Sequence, residues 1–427
     1  MAGGVAINIQ DNHVFDDAPT EGTRTYAIIV CIFASLGGLF FGYDQGVTGG
    51  VLVMDSFVND WCVGWHEQTY KDCTAKSSSL PNRWIDYTLW YNMTYNIGCI
   101  FGALLGGWVA DKFGRRVTIF NAGLLFCIGT SWVCFCPAGA HASLLAARVI
   151  QGMGVGNSSF SLPIFGAEMA PKELRGFLSG FMQMTIVTGL LLANIVNLIV
   201  EDDKHGWRVL QQATGINPMF SYGGLIFKDV VGDGILSVLI LSIVNFVSTI
   251  PAMRWVDTFG RRQLLLIGAV GMVLGHVVSG ISFTAGCDGN TDDSGCSKGA
   301  GYIIIIGTAF FIFNFAISWG PVCWIYPAEI FPLNVRAKAV SLSTMANWVM
   351  GTCMTWVVKL FPSLNINGVF FLFCGTCICS GVFVYFLCPE TKGILLEDIE
   401  ALFHKGDGYK KNASPKYVEV ETPVQAA

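Results

Sequence analysis

Charge is what this chain has least of. Lys, Arg, Asp and Glu make up 13% of its 427 residues, about half of the roughly 25% usual in a soluble chain. So few charges cannot cover a water-facing surface of this size. The net charge of −5 is small, and the basic residues occur in short clusters rather than in a block, which excludes nucleic acid as a partner. There is no Walker-type phosphate loop and no His/Cys cluster at metal-ligand spacing. Of the six His, His205 and His276 stand isolated and read as packing or surface residues. An enzyme, a cofactor and a resident metal are therefore not expected. The start also lacks a cationic run followed by a cleavage signature, so Met1 to Arg24 reads as a retained cytosolic tail rather than a signal peptide.

What fills the chain is apolar: 53% of residues, with a mean hydropathy of +0.55. A helix needs roughly 20 apolar residues to cross the hydrocarbon core. Such stretches fall near 26–54, 87–110, 117–137, 143–167, 177–200, 233–256, 264–285, 302–326, 340–361 and 367–388. A weaker one runs from Val209 to Phe227. The sequence predicts an all-α, multi-pass membrane protein. Most of the fifteen Cys, such as Cys127, Cys134, Cys374, Cys377 and Cys379, lie inside apolar runs, where they act as small hydrophobes.

Lys and Arg collect in short cytosolic loops. That rule puts Lys112, Arg115 and Arg116, then Lys172 and Arg175, then Arg261 and Arg262, and finally Arg336 and Lys338, on the cytosolic side. The segments 59–85 and 286–301 then fall outside, each with a cysteine pair. Pairing of Cys287 with Cys296 is the favoured disulfide, while Cys62 with Cys73, or cross-links between the loops, stay open. The triplets Asn92-Met-Thr94 and Asn157-Ser-Ser159 lie within spans and are not expected to be glycosylated.

Transporters are often built from duplicated halves, and a repeat is present. Asp111-Lys-Phe-Gly-Arg-Arg116 recurs as Asp257-Thr-Phe-Gly-Arg-Arg262, each at the cytosolic end of a span. Glu168 precedes Arg175, and Glu329 precedes Arg336, by the same seven residues. Glycine permits a tight turn, while guanidinium groups pair with carboxylates and with helix C-terminal carbonyls. The repeated set reads as a conformational latch: Asp111, Arg115, Arg116, Glu168, Arg175, Asp257, Arg261, Arg262, Glu329 and Arg336.

With these motifs stand Gly42-Tyr-Asp-Gln-Gly46, Arg148 with Gln151-Gly-Met-Gly154, Gln211-Gln-Ala-Thr-Gly-Ile-Asn217, Pro327-Ala-Glu329 and Pro389-Glu-Thr-Lys-Gly393. Together they resemble the sugar porter family of the major facilitator superfamily. The resemblance implies two helical bundles, alternating access, and a monosaccharide or related polyol as cargo. It also implies a plasma-membrane carrier whose partners are a sugar, protons and the bilayer, with no obligate protein partner. The division that follows is a cytosolic tail (1–24), a first bundle of five spans (25–208), a second bundle (209–388) and a C-terminal cytosolic tail (389–427) with an amphipathic helix at Glu397 to Phe403.

A sugar site needs amides that donate and accept, plus an aromatic plane. Carried over position by position, the resemblance names Gln183, Gln211, Gln212, Asn217, Asn245, Trp324 and Asn347. Each amide alone is equally well interhelical glue. Asp44 and Arg148 are ionisable residues within spans, which are costly there and usually face a cavity or a partner. Resemblance to proton-coupled members implies that Asp44 binds the proton and Arg148 stabilises its charged form; a bridge that only holds helices together, or facilitated diffusion, are the alternatives.

The chain departs from the pattern after the fifth span, where Gly206-Trp-Arg-Val-Leu210 runs directly into Gln211-Gln-Ala-Thr-Gly. In the family a sixth span and a charged cytosolic helical segment stand between these points, so 10–11 spans replace twelve. Losing one span inverts everything downstream, yet the later basic loops still demand the cytosol. The expectation is that Val209 to Phe227, with Gln211, Gln212, Asn217, Pro218 and Gly223-Gly224, fails to span. Eleven spans with one frustrated loop, or a chain that senses or interferes rather than transports, are the other readings.

Overall fold

A computed structural model describes residues 24–52, 54–74, 80–170, 175–200, 207, 234–286, 298–332, 335–356 and 361–392. The weak span, the sugar-site residues Gln211, Gln212 and Asn217, both cysteines of the Cys287/Cys296 pair, His205 and the Glu397 to Phe403 helix lie outside the described residues. Every regular element described is helical.

The first half contains α1 (Arg24–Val51), α4 (Asn82–Phe113), α5 (Arg115–Phe135), α6 (His141–Met169) and α7 (Arg175–Ile199), with short α2 (Asp55–Trp61) and α3 (Tyr70–Cys73) between α1 and α4. The second half contains α8 (Gly234–Phe259), α9 (Arg261–Gly286), α10 (Lys298–Ile317), α11 (Trp319–Ile330), α12 (Arg336–Trp356) and α13 (Phe361–Leu387). The apolar run at 302–326, which reads as one span in sequence, is broken at Ser318, whose φ −130° and ψ −82° are not helical. Ser318 turns its hydroxyl onto the Asn314 carbonyl at 2.6 Å.

Among the described residues, seven stretches are long and apolar enough to cross a membrane, by length and composition alone. α6 and α12 are not among them; they carry Arg148, Gln151, Asn157 and Arg336, all buried inside the bundle, as is Asp44 of α1. The apolar side chains of the other helices point outward instead, among them Phe120, Ile199, Val270, Ile306 and Phe386. Such a belt of exposed hydrophobes belongs in lipid rather than water. Asn92 and Asn157 are buried within helices.

Within the first half, α4 and α5 pack on α6, and α1 packs on α7; within the second, α9 packs on α10 and α13. The halves meet where α4 lies along α12 and α7 along α8. Both copies of the repeated motif close the same way. Gly114 and Gly260 sit at φ +83° and +90° between consecutive long helices, a backbone state that costs a residue with a side chain about 1–3 kcal/mol. Only glycine enters that turn freely.

At the opposite end of the bundle a disulfide joins Cys62 to Cys73, the pair the sequence reading ranked second. It closes α2 and α3 over an aromatic cluster of Phe57, Trp61, Trp84, Tyr87, Tyr91 and Trp207. Trp207 donates its indole N–H to Asp60 at 3.0 Å, and His141 places its two ring nitrogens 2.8 and 2.9 Å from the Gly139 and Trp61 carbonyls. The cysteines are 11 positions apart. Closing so short a loop removes about 3 kcal/mol of unfolded-chain entropy at 25 °C. Cys62→Ser with Cys73→Ser is therefore expected to raise the rate of proteolysis in segment 55–74 by about a hundredfold, read by limited digestion of intact cells. An unchanged rate would show that the aromatic cluster alone holds the segment.

Trp207 also fixes direction. α7 runs from the basic end, where Gly176 faces Asp257, to the disulfide end, where Asn194 donates to Ser242 of α8 at 3.0 Å. α8 returns from the disulfide end to Asp257. The points either side of 208–233 thus lie at one end, and that interval is shorter than the roughly forty residues two crossings take. Among the described residues, α7 and α8 run in opposite directions.

Candidate functional site

Three buried polar groups from α1 and α6 meet in the first half. Asp44 and Arg148 are each 1% exposed and Gln151 is fully buried. The Gln151 amide nitrogen donates to Asp44 Oδ1 at 2.7 Å, and its oxygen accepts from Arg148 Nη1 at 2.9 Å. The same nitrogen lies 3.3 Å from Thr130 Oγ1. An amide carries its donor and its acceptor on separate atoms, so it can donate to an acid and accept from a guanidinium at once. The two charges fix which way it points. Arg148 also lies 4.4 and 4.6 Å from the ring centroids of Tyr91 and Tyr95, so its charge is met by two π faces as well as by the amide. Sequence reading quoted Gln151 as part of a motif without a role. Its three-residue spacing from Arg148 on α6, which puts both on one helix face, was the available signal.

A cavity of about 150 Å³ opens between α6, α11 and α12, lined by Pro163, Cys323, Trp324, Pro327, Thr344 and Asn347 among others. Liquid water takes roughly 30 Å³ per molecule, so the space suits one small polar solute. Of the sugar-site residues, Trp324 and Asn347 line it. Gln183 of α7 is buried against Gly320 at the start of α11, close enough that a methyl there would touch its amide nitrogen. Asn245 of α8 is buried with its side-chain oxygen unpartnered among the described residues, and it does not line this cavity. Beside the cavity, Phe41 of α1 sets its ring edge-on to Trp324 and Trp348 at 6.1 and 5.9 Å. Trp348 donates to Ser159 of α6 at 3.2 Å. Phe41 and Trp348 join the halves across the interior; neither was named from sequence, although Trp348 adjoins Asn347.

The basic end holds two copies of one device, built to different strengths. In the second half, Arg261 grips Glu329 with two nitrogens at 2.8 and 3.2 Å, and both side chains are about 6% exposed. It also reaches Asp257 at 3.2 Å and the Val256 carbonyl at 3.2 Å. In the first half, Arg115 holds Glu168 by a single contact of 3.1 Å, at 25% and 27% exposure, and reaches the Ala110 carbonyl at 3.2 Å. Each Arg therefore tethers the last carbonyls of the preceding helix at the same five-residue offset. Arg336, fully buried, does likewise for the Phe331 carbonyl at 3.1 Å. Arg262 donates to the Tyr385 carbonyl at 2.7 Å. Arg116 is exposed without a side-chain partner among the described residues, and the Arg175 side chain lies outside them.

Glu390 and Thr391 were quoted from sequence only as a motif. Glu390 accepts the backbone N–H groups of Arg261 and Arg262 at 2.9 and 3.0 Å, capping the positive end of α9. Thr391 donates to Glu329 at 2.9 Å, and Lys392 donates to the Thr258 carbonyl at 2.6 Å, closing the end of α8. Across the seam between halves, Asp257 presses on Gly176, where any side chain would collide with its carboxylate. Lys338 stands 3.7 Å from Asp111, and Ser341 fills the space over Gly107. The two halves touch at this end.

A family profile described as "Sugar (and other) transporter" matches residues 30–210 and 206–403. The chain is 26% identical to sugar transport protein MST8 of Oryza sativa subsp. japonica, over 95% of this chain and 96% of that one. That alignment runs over 505 positions, more than the 427 residues present here, so the rice protein carries segments that this chain lacks. The proton:xylose symporter XylE bound to 6-bromo-6-deoxy-D-glucose superposes with a TM-score of 0.71 at 23% identity, over 89% of this chain and 99% of that one. The inward open conformation of the xylose transporter XylE from E. coli gives 0.63 at 27% identity, over 88% and 100%.

Proposed function

We propose that this chain, which belongs to the sugar transporter family of the major facilitator superfamily, moves a hexose across the plasma membrane by alternating access and couples it to protons through Asp44. Membership makes it a multi-pass membrane sugar transporter and not an enzyme. The observation that carries the finer reading is the Asp44–Gln151–Arg148 chain: a buried acid whose counter-charge is delivered through a movable amide.

While Gln151 donates to Asp44, the ionised carboxylate is stabilised by that charge-assisted hydrogen bond. A rotation of α1 against α6 withdraws that donor, and the acid then takes a proton from the water-filled side. Phe41 lies on α1 one helical turn from Asp44 and touches Trp324 and Trp348. That contact gives the proton site a mechanical route to the cavity wall. The basic loops belong in the cytosol, so the described state is closed toward the cytosol: Asp257 against Gly176 and Ser341 over Gly107 seal that end. The sugar's hydroxyls would meet Asn347 and its apolar face Trp324, with Gln183 of α7 close by against Gly320 of α11.

Losing one amide hydrogen bond to a neutral hydroxyl costs about 0.5–1.5 kcal/mol. Gln183→Ala is thus expected to raise KM for the transported hexose by about tenfold with little change in maximal rate, measured by radiolabelled uptake in hexose-transport-deficient cells. A KM within twofold of the parent would remove Gln183 from the site. The deciding experiment for the whole reading is glucose uptake at acidic and neutral external pH with surface expression checked. Stronger uptake at acidic pH supports symport; equal uptake at both supports facilitated diffusion.

The 505-position alignment favours one other reading, a chain that binds sugar but does not carry it. Sugar-dependent quenching of Trp fluorescence without uptake, in protein present at the surface, would select it.

A further inference from the structure

A second, larger hollow of about 770 Å³ lies along the seam where α7 meets α8. Phe177, Phe181 and Met184 line it from α7, and Ile250, Trp255 and Arg254 from α8. The α7 residues follow one another at four and three positions, so they form one face of that helix, and the face extends about 10 Å along the axis at 1.5 Å per residue. Ile250 is half exposed and nothing but apolar side chains lies deep in the groove, so this wall faces hydrocarbon. Arg254 stands at its cytosolic end, exposed and without a side-chain partner among the described residues. It is three residues from Asp257, whose carboxylate is already engaged by Arg261. Lys392 adds a second cation one turn further on.

We infer that this groove is a binding site for a single anionic glycerophospholipid of the cytosolic leaflet, its headgroup phosphate on Arg254 and one acyl chain between α7 and α8. Charge complementarity selects the occupant: a cationic rim at headgroup depth above an apolar trough matches an anionic headgroup above a hydrocarbon chain, and basic pockets between spans on this side hold such lipids. Trp255 beside Arg254 suits the interfacial level. The position has a consequence for the transport cycle. One wall belongs to each half, and Phe177, which lines the groove, directly follows Gly176, on which Asp257 closes. A bound lipid spans the seam and favours the cytosol-closed state.

Native mass spectrometry of the detergent-purified full chain, titrated with dioleoyl phosphatidylserine or dioleoyl phosphatidylcholine, tests this without reference to transport. The expected result is one retained phosphatidylserine, favoured about fivefold over phosphatidylcholine. Arg254→Gln should abolish the preference, Arg254→Lys should keep it, and Ile250→Trp, which fills the trough, should lower retention of both lipids. All three substitutions face outward, and an unchanged melting temperature in detergent confirms that each variant is folded. Equal retention of the two lipids by the parent, an unaltered preference in Arg254→Gln, or a lipid-free dimer in which a second copy covers the groove would each overturn the assignment.

Discussion

Asp44→Asn is expected to bring the steady-state accumulation of sugar down to equality across the membrane, from a parent value near fiftyfold at 100 mV. One proton entering down 100 mV releases about 2.3 kcal/mol, and 1.36 kcal/mol is a factor of ten, which sets that figure for a neutral solute carried with one proton. Asn keeps the shape of Asp44 and an oxygen for Gln151 to donate to, so the network closes in the variant as in the parent. What Asn cannot do is take up and release a proton. Coupling is lost while sugar exchange persists, so counterflow of labelled against unlabelled hexose should continue in Asp44→Asn at the parent KM. Gln151→Leu removes the bridge instead of the acid. With Asp44 and Arg148 left facing each other across an apolar side chain, proton-driven uptake should slow by about tenfold while counterflow KM stays within twofold. Accumulation that survives in Asp44→Asn would place the proton on another group; failure of the parent itself to accumulate would make the carrier facilitative.

Arg261→Ala should open the cytosolic side. The substitution leaves Glu329 buried without its cation and frees Asp257 from the contact that aims it at Gly176. Breaking a buried ion pair by removing one partner costs about 3–5 kcal/mol, and that cost falls on the closed state, where the pair is dry. A change of about 3 kcal/mol is more than a hundredfold in the ratio of states. Ser341→Cys reports it: the side chain is covered by Gly107 in the closed state, and its labelling by a maleimide from the cytosolic side should accelerate by at least a hundredfold in the Arg261→Ala background. The first-half copy is the internal control. Arg115 and Glu168 are partly exposed and singly bonded, and such pairs contribute about 0.2–1 kcal/mol, so Arg115→Ala should change the labelling rate by less than about fivefold. Equal acceleration by the two substitutions would show that burial does not set the strength of the latch.

Sequence carried much of this, and the parts it carried share a cause. Apolar runs, basic loops and the repeated Asp-x-Phe-Gly-Arg-Arg hexapeptide are local patterns. They announce helices, sidedness and a two-copy turn whatever the tertiary arrangement, and the glycine at φ > 0 in each copy follows from the motif itself. What stayed hidden depends on which faces meet. Gln151 is one buried amide among several until α6 is set against α1. Glu390 caps a helix that begins 129 positions earlier, a relation no window along the chain contains. The apolar run at 302–326 breaks at Ser318, whose backbone leaves the helix, and hydropathy does not register that. The pairing of Cys62 with Cys73 rests on the aromatic cluster that holds α2 and α3 together, which spacing alone does not reveal. Among the described members of the sugar set, Trp324 and Asn347 share a cavity, while Asn245, on α8, does not line it.

Trp207 and the start of α8 lie at the same end of the molecule, and this bears on how such a chain can arise and vary. Sidedness in a serial bundle is a matter of parity. Each crossing flips the sense of all that follow, so a gene can gain or lose crossings between α7 and α8 only in even numbers if the Arg115 and Arg261 turns are to share one face. A single lost crossing would send Arg261 and Glu329 to the far side, where neither the basic loop nor the Glu390 cap has its place. Any change of length between Trp207 and α8 keeps the two turns on one face only if it adds or removes crossings in pairs.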